Sequence, residues 1–412
     1  MQGFYDVAIV GAGPAGLCLA RNLSKLGLSV ALLEKQSRYA LETPAVDGRD
    51  IALTHFSRKM LEELGVWDGI PADAISIIRE ARVFDGASLR YMELSCSRTD
   101  QLAFIVSNHH IRAAAYAAVK DDANITLLDS TSLERLGLNG RAAIMHLSDG
   151  KIITCNLAVA ADSRFSETRR KAGISASIHD FGKTMIVCQM AHDHEHKGVA
   201  HECFHHGHTL AVLPLHGNRS SVIITLTPAA AETTMKMPAH ELNAWVAEQF
   251  QQRLGNMRLD SERFAYPLVG VYADRFMAQR FALVGDAAVG MHPVTAHGFN
   301  FGLRSVSTLC EGIRGALHMG SDIASADVLV HYERRHKRTT RPLYLATSGI
   351  VSLYTNDSVP AQIARKVFLR AADHMLPIKS MLMAKLTEKE FSGSFGIPSP
   401  LGFVRQLFKS AA

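Results

Sequence analysis

The residues best placed to do chemistry lie in three short stretches. Gly11, Gly13 and Gly16 sit in Gly11-Ala12-Gly13-Pro14-Ala15-Gly16, between the apolar run Val7 to Val10 and a helical pattern. A second apolar run, Ser29 to Leu33, then ends in Glu34. Strand, glycine turn, helix, strand and acid, in that order, form the unit that holds the adenosine half of a dinucleotide. Gly11 permits the tight turn, Gly13 lets backbone approach a pyrophosphate, and Gly16 brings the helix close to the strand. The pyrophosphate then rests on free N–H groups at the positive end of the helix dipole. Glu34 is expected to accept hydrogen bonds from a ribose.

The second stretch repeats that logic about 270 residues on. Phe281 to Val284 reads as a strand, Gly285-Asp286 closes it, and a loop to Asn300 leads into a helix. An acid at a strand end can bind sugar-like hydroxyls. The ribityl chain of a flavin offers them and NAD does not. The third stretch lies inside that loop, where His292 and His297 flank Pro293. They are the candidate catalytic residues, as hydrogen-bond donors or proton shuttles. A structural hydrogen-bonding role stands beside that reading.

The elements that must position these groups follow from periodicity. Leu17, Ala20, Leu23 and Leu26 repeat at helical spacing and Gly27 stops the helix. Ile77 to Phe84 and Leu89 to Leu94 flank Asp85-Gly86, a hairpin signal. Val106 to Ala118 reads as helix. Ile125 to Leu128, Ser132 to Leu138, Ala142 to Leu147 and Cys155 to Ala161 read as strands, and Met185 to Thr227 is strand-rich. Pro238 to Leu254 reads as helix, and the chain beyond Phe301 is mostly helical.

Composition narrows the class. The chain has 412 residues, 47% hydrophobic and 20% charged, as expected of a globular protein of two or three domains. A net charge of +5 does not call for nucleic acid, and none is expected as a partner. The six cysteines include no C-x-x-C pair, which argues for reduced thiols in a cytoplasmic chain and against a disulfide reductase. The nucleotide unit begins almost at once, so no secretory leader is expected. No apolar run reaches the ~18 residues that span a bilayer, so membrane contact, if any, is peripheral. The histidines between His192 and His208 fit no compact metal-ligand spacing and read as strand and loop residues, and no metal is assigned.

Together these stretches resemble the FAD-dependent aromatic-ring monooxygenases of the para-hydroxybenzoate hydroxylase fold, and among them the ubiquinone-biosynthesis hydroxylases. The glycine start, the Asp162 to Arg169 motif and Gly285-Asp286 carry the first likeness. Arg49 to Thr54, Leu210 to Leu215 with Gly217 to Val222, Leu283 to Leu303 and Ser348 to Asp357 carry the second. The resemblance implies an α/β fold: a Rossmann-like FAD-binding domain, an interleaved, mainly antiparallel β substrate domain, and a helical C-terminal region. The implied boundaries place FAD-binding segments at 1–76, 101–178 and 266–345, a substrate-domain hairpin at 77–100, the substrate domain at 179–265 and the helical region at 346–412.

The resemblance also implies FAD as cofactor, NAD(P)H as transient electron donor or a partner reductase in its place, and O₂ as co-substrate. The substrate would be a prenylated quinone precursor whose ring is hydroxylated through a C4a-hydroperoxyflavin. Peripheral contact with the inner membrane surface, or a place in a biosynthetic assembly, would suit such a substrate. Implied cofactor contacts are Gly11, Ala12, Gly13, Pro14, Ala15, Gly16, Glu34, Lys35, Arg49, Arg112, Asp162, Asp286, Pro293, Gly298, Phe299 and Asn300. Of these, Arg49 and Arg112 would reach the pyrophosphate or ribityl region, and Gly298 to Asn300 would line the isoalloxazine edge. Three positions depart from the family pattern: Ser163 stands for Gly, His297 for Gln, and Val289 for Arg or His. A flavin halogenase would need Trp-x-Trp-x-Ile-Pro, and the only tryptophans are Trp67 and Trp245. A prenyl-chain reductase and a non-catalytic flavin scaffold remain as rival readings.

Overall fold

The structure, a computed structural model, describes residues 2–85, 91–95, 101–205, 207–291 and 298–355. His292, Pro293, His297, Gly86, Cys96 and the tail beyond Thr355 lie outside the described residues.

The strand Gln2–Val10 is central because its neighbours are as apolar as it is. It pairs in parallel with Val30–Leu33 on one side and Ile152–Ala160 on the other. Near-continuous apolar runs are what a sheet covered on both faces requires. Val7, Ala8, Ile9 and all four residues of Val30–Leu33 are buried. Ile125–Leu128 and Phe281–Leu283 extend the parallel core, and the sheet has eight strands in all. The helix Pro14–Ser24 starts on a proline at its first turn and buries Leu17, Leu19, Ala20 and Leu23 against it. Gly27, at φ +80°, ends the turn that follows.

A second sheet, of nine strands and mainly antiparallel, is built on the long strand Ala176–His192. That strand pairs with Arg219–Leu226 and with Phe264–Ala273. Two of the sequence-based boundaries, after 178 and after 265, therefore fall inside continuous strands. One face of this sheet is covered by the helices Pro228–Lys236 and Ala239–Gln249, which bury Leu242, Val246 and Phe250 among its apolar residues.

The expected hairpin is present, with Glu80–Asp85 paired antiparallel to Tyr91–Ser95, but a third, three-stranded sheet takes the start of its first strand. The apolar run at Ile77 to Phe84 is not one strand. It breaks at Arg79, whose N–H donates to Gly198 O. Ile75–Ile78 joins Ala103–Ser107 and Asp50–Leu53 in the small sheet, while Glu80–Asp85 joins the large one, parallel to Val199–Phe204. Val106 accordingly lies in a strand that ends at Ser107, and the helix runs Asn108–Ala117. Periodicity alone cannot show that one apolar run serves two sheets.

Helices Gly298–His318 and Ala326–Thr355 complete the described chain. Tyr332 is fully buried and donates its hydroxyl to Leu283 O, which ties the last helix to the end of the parallel sheet. His336 lies buried beside the Tyr332 and Phe276 rings. Burial holds its imidazole neutral, down to about 3. His201, between Phe84 and Phe250, is held down to about 4, by burial first and then by Arg253 and Arg82. Between those values and the ordinary 6.5 the unfolded chain binds more protons than the folded one. The contribution of these two histidines is therefore full above about 6.5 and declines as pH falls below it. Urea unfolding from pH 6.5 down to 4.5 is expected to show this slope, and His336→Phe to lower it by up to ~1.4 kcal/mol per pH unit.

Candidate active site

The cradle is a matter of distances that leave no room for side chains. Gly11 has φ +107°, and a Cβ there would lie 2.7 Å from Ala161 O and 2.9 Å from Asp162 Cα. A Cβ on Gly16 would lie 1.9 Å from Gly11 O. Both clashes are with backbone, so neither neighbour can swing aside. Gly13 differs: nothing lies within 4 Å of its Cβ position. Two glycines are thus demanded by the fold, and the third leaves open the side from which a pyrophosphate would approach. The first turn of the helix carries no acid that would repel it.

Glu34 is held by two backbone donors. Its two oxygens accept from Ala12 N (2.8 Å) and Gln36 N (2.9 Å), so the carboxylate bridges the glycine turn and the loop beyond the second strand. Each oxygen keeps a further lone pair for a ribose hydroxyl. Arg112 is tied to the same corner, its guanidinium donating to Gln36 Oε1 at 3.0 Å. Lys35 follows Glu34 in that loop.

The far end of the chain meets this corner at van der Waals distance. Ala15 Cβ lies 3.2 Å from the Cβ position of Gly285 (φ +65°) and 3.6 Å from that of Gly302. Gly298 in turn places its Cβ position 4.0 Å from Asp286 Oδ1. Two segments some 270 residues apart in sequence thereby form one concavity. Asp286 accepts from Arg164 Nη2 at 3.1 Å, and Arg164 Nη1 donates to Val269 O at 2.9 Å.

Arg49 is engaged by Asp47 through two contacts, 3.1 and 2.6 Å, and lies 5.7 Å from the Tyr266 ring centre. Burial opposes the charge on Asp47, yet hydrogen bonds from Arg49 and Asn108 outweigh it and hold the carboxyl below its usual range. Arg49 also feels the negative charge of Asp286. The arginine is thus ordered by one carboxylate and within the field of a second, at the place where a polyanion would bring negative charge.

Asp162 has one oxygen 3.3 Å from Thr168 N, while Oδ1 is buried with no partner among the described residues. Burial raises its carboxyl above the ordinary range, against hydrogen bonds from Ser166 and Thr168. An orphaned acceptor beside Gly11 is suited to a donor that a bound cofactor brings. Ser163 is exposed and lacks a positive φ, so the family's glycine is not required there. Arg169 is buried and donates to Ala287 O (2.8 Å) and Arg164 O (3.1 Å), linking the Asp162 turn to the Gly285 turn.

Asn300 has a structural part in addition to the cofactor contact expected of it. The residue is 1% exposed. Oδ1 accepts from Thr54 N (3.1 Å) and Ser57 Oγ (2.6 Å), and Nδ2 donates to Ala52 O (2.8 Å). It pins the helix Gly298–His318 to the strand Asp50–Leu53, and only its main chain is left to border a ring. Phe299 is half-buried against the main core.

Sequence reasoning missed Asp47, Gln36, Arg164 and Tyr266. Asp47 carried a usable signal, since Asp-Gly-Arg before a strand is an Asx-turn pattern and its Oδ1 does accept from Arg49 N at 3.1 Å. Nothing local singles out Arg164 from Arg169 and Arg170. Among the histidines, His192 is buried and bonded to His194 O (2.8 Å) and Ser220 Oγ (3.0 Å), and His196 to Leu215 O (2.7 Å), all within the large sheet and its turns.

A split cradle for adenosine, pyrophosphate and polyol, closed by a second sheet, defines a flavin-adenine-dinucleotide oxidoreductase. Residues 4–343 match the sequence family described as FAD binding domain. The chain belongs to that family and, within it, to the flavoprotein monooxygenases of the ubiquinone hydroxylase group. It is 43% identical to the ubiquinone hydroxylase UbiM of Neisseria meningitidis, over 93% of this chain and 84% of the relative. It is 32% identical to the ubiquinone hydroxylase UbiL of Rhodospirillum rubrum, over 92% and 88%. Among solved structures, p-nitrophenol 4-monooxygenase from Pseudomonas putida superposes with a TM-score of 0.74, covering 95% of this chain and all of that one. At 20% identity that likeness speaks for the fold alone.

Two tests follow from the geometry. Gly13→Asp is expected to fold, because its Cβ meets open space, and to purify without yellow flavin; Gly16→Ala is expected to lose both flavin and soluble yield. Stoichiometric flavin in Gly13→Asp, read from absorbance, would contradict the cradle assignment. Asn300→Ala strands several buried polar groups and is expected to cost about 3 kcal/mol in urea unfolding. Its flavin content in native buffer should fall less than that of Gly13→Asp.

Proposed function

We propose that the protein hydroxylates the aromatic ring of a polyprenylated ubiquinone precursor, with O₂ as co-substrate and electrons from NAD(P)H or a partner reductase. The observation that carries this reading is the 43% identity to a ubiquinone hydroxylase across nearly the whole chain. The cradle fits the cofactor: Glu34 would hold the ribose, the Gly11 to Gly16 turn the pyrophosphate, and Asp286 the ribityl hydroxyls. Arg49 and Arg112 would supply positive charge. When bound, FAD supplies oxygen activation and transfer of one oxygen atom.

The chain's own share is placement and dryness. The apolar face of the large sheet and the small three-stranded sheet wall off the space beside the cofactor from bulk water, which protects a reactive intermediate from wasteful decay. No acid–base residue is assigned among the described residues. A polyprenylated ring dissolves in lipid, and no described helix is long and apolar enough to cross a membrane. Delivery therefore calls for peripheral contact with the cytoplasmic face of the membrane or for hand-over within a biosynthetic assembly.

Deleting the gene should make one under-hydroxylated quinone precursor accumulate, and the purified enzyme should add about 16 mass units to it, one oxygen atom. A gain of about 2 mass units would instead mark a prenyl-chain reductase. Absence of substrate-stimulated oxidation with every donor would mark a scaffold. An unchanged quinone profile in the deletion strain would overturn the substrate assignment.

A further inference from the structure

The two faces of the large sheet differ in character. The helix-covered face is sealed by Ile186, Cys188, Cys203, Leu210 and their neighbours. The opposite face is closed in two places. Ala200 and Leu213 pack with Ala52 and Ile105 of the small sheet, and Met185 and Val187 pack with Tyr266 and Leu268. From the second of these patches, where Ile223 packs against Met185, Val187 and Leu268, a row of side chains in register crosses adjacent strands: Ile223, Ala211, Glu202 and Val83. All four are half-buried. Ala211, Glu202 and Val83 belong to neither packed patch and form the floor of a recess beside them.

Glu202 is the anomaly in that row. Of the six residues in Val199–Phe204 it is the only one not buried, and the only carboxylate. Its cross-strand neighbours, Ala211 and Val83, are alkyl. No described residue hydrogen-bonds to it or pairs with its charge. Burial pushes its carboxyl up to about 8, so at neutral pH it is largely the neutral acid. A carboxyl half-open yet poorly hydrated belongs to an enclosed space rather than to the outer surface. A structural glutamate at such a place would have a partner, because an unpaired carboxyl among alkyl groups costs stability.

Its position relative to the cofactor can be traced. Ala200, two residues earlier on the same face and about 7 Å away by strand geometry, packs on Ala52. The carbonyl of Ala52 is held by Asn300 Nδ2, at the start of the helix whose Gly298 approaches Asp286. Glu202 thus opens on the side of the sheet that faces the cofactor concavity.

We infer that Glu202 is a specificity-determining residue that hydrogen-bonds a ring hydroxyl of the substrate, in a recess otherwise lined by alkyl groups. This rests on the reading above that the substrate is an oxygen-substituted, prenylated aromatic ring. A neutral carboxyl both accepts the hydroxyl proton at its C=O and donates its own O–H to a ring oxygen, and a site built this way rejects rings that lack the hydroxyl. The stability forgone by leaving the acid unpaired matches the general trade between activity and stability.

The test uses the full-length, FAD-loaded protein with two probes, 2-farnesylphenol and its methyl ether, which lacks the donor hydroxyl. Binding is read by perturbation of the flavin spectrum and by equilibrium dialysis. The wild type is expected to prefer the phenol by about ten-fold, the worth of one good hydrogen bond. Glu202→Leu should lose that preference by weakening the phenol alone, with ether affinity within about two-fold. Glu202→Gln, which keeps a donor and an acceptor, should restore most of it. Flavin content should be unchanged and the Tm of Glu202→Leu equal to or above that of the wild type. Retention of the preference in Glu202→Leu, or an equal loss for both probes, would overturn the assignment. Failure of the wild type to bind either probe would instead overturn the prenylated-phenol reading, and this inference with it.

Discussion

The structure depends on a close approach at Ala15. Its methyl group occupies the gap between the Gly285 turn and Gly302, at 3.2 and 3.6 Å from their Cβ positions. The next residue, Gly16, lets the helix lie against the Gly11 carbonyl, with no room for a methyl. Larger side chains at these places would hold the first helix away from both the parallel sheet and the helix Gly298–His318. The adenosine corner and the ribityl corner would then no longer face one another. Interiors are packed too densely to absorb such a gap by small adjustments.

A second layer of constraint keeps that concavity aligned. Asn300 fastens the helix start to Asp50–Leu53, and Arg169 fastens the Asp162 turn to Ala287. Tyr332 fastens the last described helix to Leu283. Each is a buried polar side chain bonded to main-chain carbonyls, so each fixes a backbone position and not merely a contact. The charged residues of the concavity are likewise held in advance: Arg49 by Asp47, Asp286 by Arg164, Glu34 by two backbone N–H groups. Binding a polyanionic, polyhydroxyl cofactor here would exchange partners among groups already ordered, which limits the entropy that binding must overcome.

The large sheet then contributes an asymmetric lid. Its outer face is an ordinary apolar core under two helices, whereas its inner face is sealed only in part. The unsealed row gives an aromatic ring room against alkyl groups, with Glu202 as the polar point within reach. The same sheet supplies Tyr266, whose hydroxyl donates to Asp47 O at 2.6 Å, so the substrate side and the cofactor side share a hydrogen bond.

What the sequence by itself determined is local. Gly11, Gly16 and Gly285 are required by backbone conformation and close approach, and such demands are written in single residues. The apolar runs Val7 to Val10, Val30 to Leu33 and Phe281 to Leu283 announced a buried parallel sheet because strands covered on both faces need no polar alternation. Glu34 and Asp286 were legible because each ends such a run. Tertiary structure alone decided the rest. It split the run at Arg79 between two sheets, made Asn300 a fastening between the helix start and Asp50–Leu53, and chose Arg164 among three nearby arginines as the partner of Asp286. It also set Glu202 on the inner face, beside Val83 of a strand distant in sequence. Periodicity states which residues share a face, but not what that face meets, because the meeting is made by chain segments one to three hundred residues apart.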